Sequence, residues 1–124
     1  DLHYNHGFVL EQAGSPRAAI AAFAEALRRK PALDRAWYGT GLAHARLGEH
    51  AAAAEAFARS VELQPMHGEG YYLWGMACHY ADRPQQVEEV VERLVSFDAK
   101  LAARLVHDIG REGDLGALIP EMPF

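Results

Sequence analysis

Residues 37–65, WYGTGLAHARLGEHAAAAEAFARSVELQP, run from an apolar helical stretch through Gly48 into a second, alanine-rich stretch, and end at Pro65. The same order of residue types recurs on either side at a spacing of 34. Gly7, Gly41 and Gly75 keep that spacing, and so do Tyr4, Tyr38 and Tyr72. The pairs Gly14/Gly48, Ala19/Ala53, Phe23/Phe57 and Pro31/Pro65 hold the same register. A fixed period of this length, with two helical stretches per unit, signals a helical repeat whose units bury their apolar faces against their neighbours.

The unit resembles the tetratricopeptide repeat. Its first copy reads His3, Gly7, Leu10, Gly14, Ala19, Phe23, Ala26, Pro31, and its second Trp37, Gly41, His44, Gly48, Ala53, Phe57, Ser60, Pro65. The third keeps Tyr71 and Gly75, then drifts: Asp82 stands for the turn glycine, Val87 for the alanine, Val91 for the aromatic and Ala99 for the proline. The resemblance implies an all-α solenoid of helix-turn-helix units, a short right-handed superhelix with a C-terminal capping helix. The expected division is repeat 1 over 1–33, repeat 2 over 34–67, repeat 3 over 68–98, and a capping helix with tail over 99–124.

Seven helices are expected, over about 2–13, 16–29, 34–47, 50–63, 68–81, 84–97 and 99–112. Gly14 and Gly48 can take the left-handed conformation that closes a helix, and Ser15-Pro16 offers a cap followed by a proline whose missing N–H costs nothing in the first turn. Pro84 starts the sixth helix in the same way. Leu101, Leu105 and Ile109 form one apolar stripe after Asp98, an expected N-cap, and Gly113-Asp114 is expected to end that helix. Phe23, Leu27, Trp37, Leu47, Phe57, Val61, Trp74, Val91, Leu94 and Val95 are expected to fill the layers between units, with His6 at a core position and Ala19 and Ala53 opposite the mid-helix glycines. Leu115 to Phe124 is a short apolar tail, docked or free to dock elsewhere.

Half of the residues are hydrophobic, yet no apolar run approaches the ~20 residues needed to span a bilayer. The formal charge of −5, with no basic run longer than Arg28-Arg29-Lys30, argues against a nucleic-acid surface. Cys78 is the single cysteine and reads as a small buried residue, so neither an internal disulfide nor a thiol-only metal site is available. Seven histidines scatter over different surfaces, and only His3 with His6 has a helical spacing, so no metal and no cofactor is expected. The chain offers no nucleophile elbow, phosphate loop or metalloprotease helix, and a non-enzymatic protein is expected. Asp1-Leu2-His3 already reads as helix, as in a domain cut from a longer protein; further repeats, a membrane anchor or a signal peptide could lie upstream. The compartment, cytoplasmic or periplasmic, is left open.

The resemblance also implies a concave face lined by the first helix of each unit. In register, that face carries Tyr4, Tyr38 and Tyr72 in one row and Phe8, Leu42 and Met76 one turn along, with Arg46 and His79 at one edge and Arg35 and Glu69 at the other. Tyrosine offers large area, few rotatable bonds and a hydroxyl that can meet a peptide backbone. The expected binding residues are therefore Tyr4, Phe8, Tyr38, Leu42, Arg46, Glu69, Tyr72, Met76 and His79, serving a protein or peptide partner with apolar or aromatic anchors. Tyr4, Phe8, Gly39, Glu69 and Leu73 stand where some co-chaperone members grip a terminal carboxylate, so that clamp is not expected. Two alternatives accompany the adaptor reading. One is a self-association module that forms homo-oligomers; the other, by family analogy, is a membrane-tethered bacterial accessory in polysaccharide or pilus secretion or assembly.

Overall fold

The apolar stretches read from the sequence become antiparallel helix pairs. In chain order the helices are α1 (Leu2–Gln12), α2 (Pro16–Arg29), α3 (Asp34–Arg46), α4 (His50–Leu63), α5 (Gly68–Tyr80), α6 (Pro84–Val95), α7 (Ala99–Asp108) and the short α8 (Glu112–Leu115). A 3-10 turn, Gly116–Leu118, follows. This computed structural model describes residues 2–120, and side chains for 5–10 and 13–120. Each helix packs on its neighbours in sequence, and α1 also meets α3 and α5 meets α7, the stacking of a solenoid.

Turn chemistry fixes the first three pairs. Gly14 and Gly48 close α1 and α3 at φ 80° and 74°, and Asp82 takes φ 57° at the same place after α5. An aspartate tolerates that region better than most side chains. Pro16 and Pro84 open α2 and α6, but Ser15 makes no side-chain cap bond; the proline alone marks that start.

Two cores result. The first gathers around Phe23 with Ala19, Ala36 and Ala43. The second runs from Phe57 and Val61 through Trp74, Val91 and Leu94 to Leu105, Val106 and Leu115. The mid-helix glycines allow close approach, though Phe23 and Phe57 stand opposite Gly7 and Gly41, and not the expected alanines. A Cβ on Gly7 would lie 2.7 Å from Phe23 Cε1, and one on Gly41 2.6 Å from Phe57 Cε1. Trp37 departs from the core expectation: it is half-buried, donates Nε1–H to the Pro31 carbonyl at 2.9 Å, and has Arg59 5.7 Å from its ring centroid. Its indole N–H needs a partner, and the inter-unit turn supplies one at the surface. Leu27, Leu47 and Val95 are likewise only partly covered, and His6 is exposed rather than core.

The C-terminal helix breaks register. The connections before α3 and α5 are residues 30–33 and 64–67, whereas only 96–98 precede α7, and α6 ends two residues early against α4. Helix α7 therefore begins at Ala99, with Asp98 Oδ1 accepting the Leu101 N–H at 3.1 Å, and leans on α5 as well as α6. Leu105 is fully buried and lies 2.5 Å (Cδ2) from where a Gly75 Cβ would stand. Val91, in register with Phe23 and Phe57, is smaller than they are, and Leu105 takes up the space. Gly110 at φ 71° ends this helix, ahead of the expected Gly113. Leu115 is buried, Leu118 and Ile119 pack on the second core, and the 3-10 turn rests on α6, so the tail is docked as far as Ile119. Residues 121–124 lie outside the described residues.

Candidate functional site

The first helices of the pairs put Tyr38 and Tyr72 in the same register, and the structure gives them different surroundings. Tyr38, on the first turns of α3, stands edge-on to Phe57 at 5.9 Å and beside the His67 ring at 5.5 Å. Its other side opens on a cleft of about 520 Å³ lined by Asp34, Arg35, Tyr38, Ser60, Gln64, His67 and Glu69. This cleft lies where the start of α3, the end of α4 and the start of α5 meet. Burial and then the negative charge of the neighbouring Glu69 carboxylate raise the Tyr38 pKa, while Arg35 pulls it the other way.

Tyr72, half-buried like Tyr38, faces α7. Its hydroxyl donates to Asp108 Oδ2, and the Arg104 guanidinium lies 5.2 Å from the ring centroid. Arg104 Nε also sits 3.7 Å from Asp108 Oδ2, one turn along α7. Tyrosine, carboxylate and guanidinium thus form a completed set. Partial burial and the Asp108 carboxylate raise the Tyr72 pKa, because both disfavour a second negative charge there.

The other expected site residues are spread out. Phe8 is half-buried and packs edge-to-face on Phe23 at 4.9 Å, so much of its ring serves the first core. Leu42 and Met76 are half-buried against the second core. Arg46 and His79 lie toward the far ends of α3 and α5, about 10–12 Å along a helix from the tyrosine row at about 1.5 Å per residue. There His79 meets Tyr80 at 5.2 Å, and Tyr80 in turn lies 5.1 Å from the His50 ring. The Tyr4 side chain lies outside the described ones. Of the expected set, only Tyr38 and Glu69 meet in the cleft, joined by Arg35.

Asp34, Ser60, Gln64 and His67 complete the cleft without having been singled out from sequence. Gln64 and His67 belong to the inter-pair connection, where a 34-residue register points to turns and not to a face. The Arg104–Asp108 pair was also missed, because the apolar stripe of α7 shows that the helix docks but not how its polar side is rotated.

Among the described residues, His, Cys, Asp and Glu nowhere gather in threes that could hold a metal ion. His44 Nδ1 sits 2.8 Å from Glu49 Oε1, and Arg17 forks onto both oxygens of Glu49 at 3.2 and 2.8 Å. These bonds, the larger from Arg17, draw Glu49 down to about 2. Burial pushes the Cys78 thiol up to about 11, so it stays protonated and inert at neutral pH. No described helix is long and apolar enough to cross a membrane.

Paired helices that pack each on its neighbours, with Tyr38 and Tyr72 in register on the first helices of two pairs, define a helical-repeat solenoid. The chain belongs to the tetratricopeptide repeat family, whose model matches residues 4–66. The same fold appears in solved structures of low sequence identity. The first TPR of Spaghetti (RPAP3), bound to the HSP90 peptide SRMEEVD, is 17% identical with a TM-score of 0.76, the match covering 89% of each chain. The Sgt2 TPR domain from Aspergillus fumigatus is 19% identical with a TM-score of 0.76, covering 100% of this chain and 87% of that one. MamA is 18% identical with a TM-score of 0.75, covering 94% and 72% respectively.

Proposed function

We propose that the chain is a protein-interaction adaptor that receives a polypeptide segment along the Tyr38 face, centred on the cleft between α3, α4 and α5. The observation that carries this reading is the open cleft of about 520 Å³ beside a tyrosine ring already propped by Phe57 and His67. A side chain entering it would bury apolar area against a wall whose ordering cost has been met by folding. Leu42 and Met76, half-buried in line with it, extend the apolar track, and Arg46 and His79 lie at its far edge, where they would adjust specificity.

The RPAP3 domain holds the acidic peptide SRMEEVD, which supports peptide binding on this fold. This chain calls for a different peptide. Phe8, Gly39, Glu69 and Leu73 replace the cationic and amide grips of a carboxylate clamp, and Glu69 and Asp34 would repel an acidic tail. Panning a random peptide library on the parent and on Tyr38→Ala tests the adaptor reading. Peptides retained by the parent and lost by the variant support it; a library yielding no Tyr38-dependent binder overturns it.

A second reading, self-association, has one observation in its favour. Val9 is 62% exposed, while its register mates Ala43 and Ala77 are buried. Light scattering over a concentration series, with Val9→Glu as control, separates the two: a monomer throughout removes this reading.

A further inference from the structure

Among the described residues three arginines lie over aromatic rings. Arg59 lies 5.7 Å from the Trp37 centroid, Arg93 lies 5.3 Å from both Tyr71 and Trp74, and Arg104 lies 5.2 Å from Tyr72. Among the described residues no arginine lies over the Tyr38 ring. Yet Tyr38 shares much of the Tyr72 arrangement: the same register, a core-propped ring and a carboxylate close by, Glu69 lining the same cleft where Tyr72 has Asp108 at its hydroxyl. Where Arg104 completes the set at Tyr72, Tyr38 faces open space with Asp34 as a second carboxylate. The cleft's own cation, Arg35, is three residues back on α3 and makes no ion pair with either acid among the described residues; His67 is the remaining titratable wall.

From this pairing we infer that the Tyr38 cleft binds a guanidinium or ammonium side chain of the partner segment, its stem along the tyrosine ring and its charge at Glu69 and Asp34. The inference rests on the adaptor reading and specifies the partner chemistry. Tyr72 with Arg104 and Asp108 is the filled counterpart, supplied from within the chain. Two carboxylates against one arginine leave the cleft with an excess negative charge, which a cationic side chain would neutralise. The ring face adds cation–π attraction, with arginine preferred to lysine because its planar group stacks.

The test starts from peptides panned as above. Tyr38-dependent binders should share an arginine or lysine at one position. A synthetic copy with citrulline at that position, isosteric but uncharged, should bind about tenfold more weakly. Glu69→Gln should weaken the arginine peptide and leave the citrulline peptide nearly unchanged, so that the two changes are not additive. Circular dichroism of Glu69→Gln checks that the helices persist, and Asp34→Asn offers a second variant should they not. Tyr38-dependent peptides without a shared basic position, or with equal affinity for arginine and citrulline forms, overturn the cation inference and leave the adaptor reading standing. The absence of any Tyr38-dependent peptide overturns both.

Discussion

Tyr38 and Tyr72 lie one 34-residue step apart, and the difference between them shows how neighbouring elements change the surroundings of a repeated residue. Both rings lean on core and each has a carboxylate close by, Asp108 at the Tyr72 hydroxyl and Glu69 in the Tyr38 cleft. Over Tyr72 the chain supplies its own arginine from α7; beside Tyr38 it leaves a cleft. A regular repeat sets where a residue points, and the irregular element next to it sets whether the residue stays available. The early start of α7 brings Leu105 onto Gly75 and Arg104 onto Tyr72 together, so the pairing of one tyrosine follows from the packing of one helix.

The strongest way to break the comparison is to unseat that helix. Leu105→Ala removes a fully buried side chain and should cost about 2–5 kcal/mol in urea unfolding, because neither Gly75 nor Val91 can fill the void. A loss under about 1 kcal/mol would mean that α7 is not seated against α5. Next in size, Tyr38→Ala should weaken a Tyr38-selected peptide by roughly 2 kcal/mol, as truncation of a central aromatic anchor does. Tyr72→Ala should shift the same affinity by less than about 0.5 kcal/mol, the range of changes at an uninvolved position. Comparable losses in calorimetric titrations of the two variants would erase the distinction.

Smaller effects sharpen it. Arg104→Ala leaves the apolar packing of α7 intact and removes the cation over Tyr72, so thermal unfolding should report a loss of about 0.5–1 kcal/mol. No loss would show that the guanidinium merely rests there. The smallest effect belongs to the far junction, where Arg17 and His44 converge on Glu49. Folding lowers Glu49 from 4.5 to about 2. Its contribution is therefore present above pH 4.5 and fades as pH falls from 4.5 towards 2. Glu49→Gln should flatten that part of the stability-against-pH curve and leave the Tyr72 end unaffected; an unchanged acid limb would remove Glu49 from the account.

Much of the fold is legible from residue type and spacing. The 34-residue period places each helix of the first three pairs within two residues of its observed ends, since glycine and proline punctuate them for local, backbone reasons. Asp82 keeping the turn that Gly14 and Gly48 make, Asp98 capping α7, and Cys78 lying buried all follow from local chemistry. What escaped depends on contacts between units. Trp37 looks like core by size but turns its N–H to Pro31. The group beside Gly75 comes from α7 because Val91 is too small, a volume argument that needs both helices in place. Of the candidate site, the tyrosine row and Glu69 are visible as a register, whereas Ser60, Gln64 and His67 join the cleft only through the way α4 hands over to α5.

Isotope-labelled tyrosine rings, followed by NMR while a Tyr38-selected peptide is titrated in, distinguish an available Tyr38 from a Tyr72 already paired within the chain. The chain has five tyrosines, few enough to assign each by substitution. The Tyr38 ring signals should move with saturation of the peptide while those of Tyr72, paired with Arg104 and Asp108, stay in place. Movement of Tyr72 with Tyr38 unchanged would contradict that distinction.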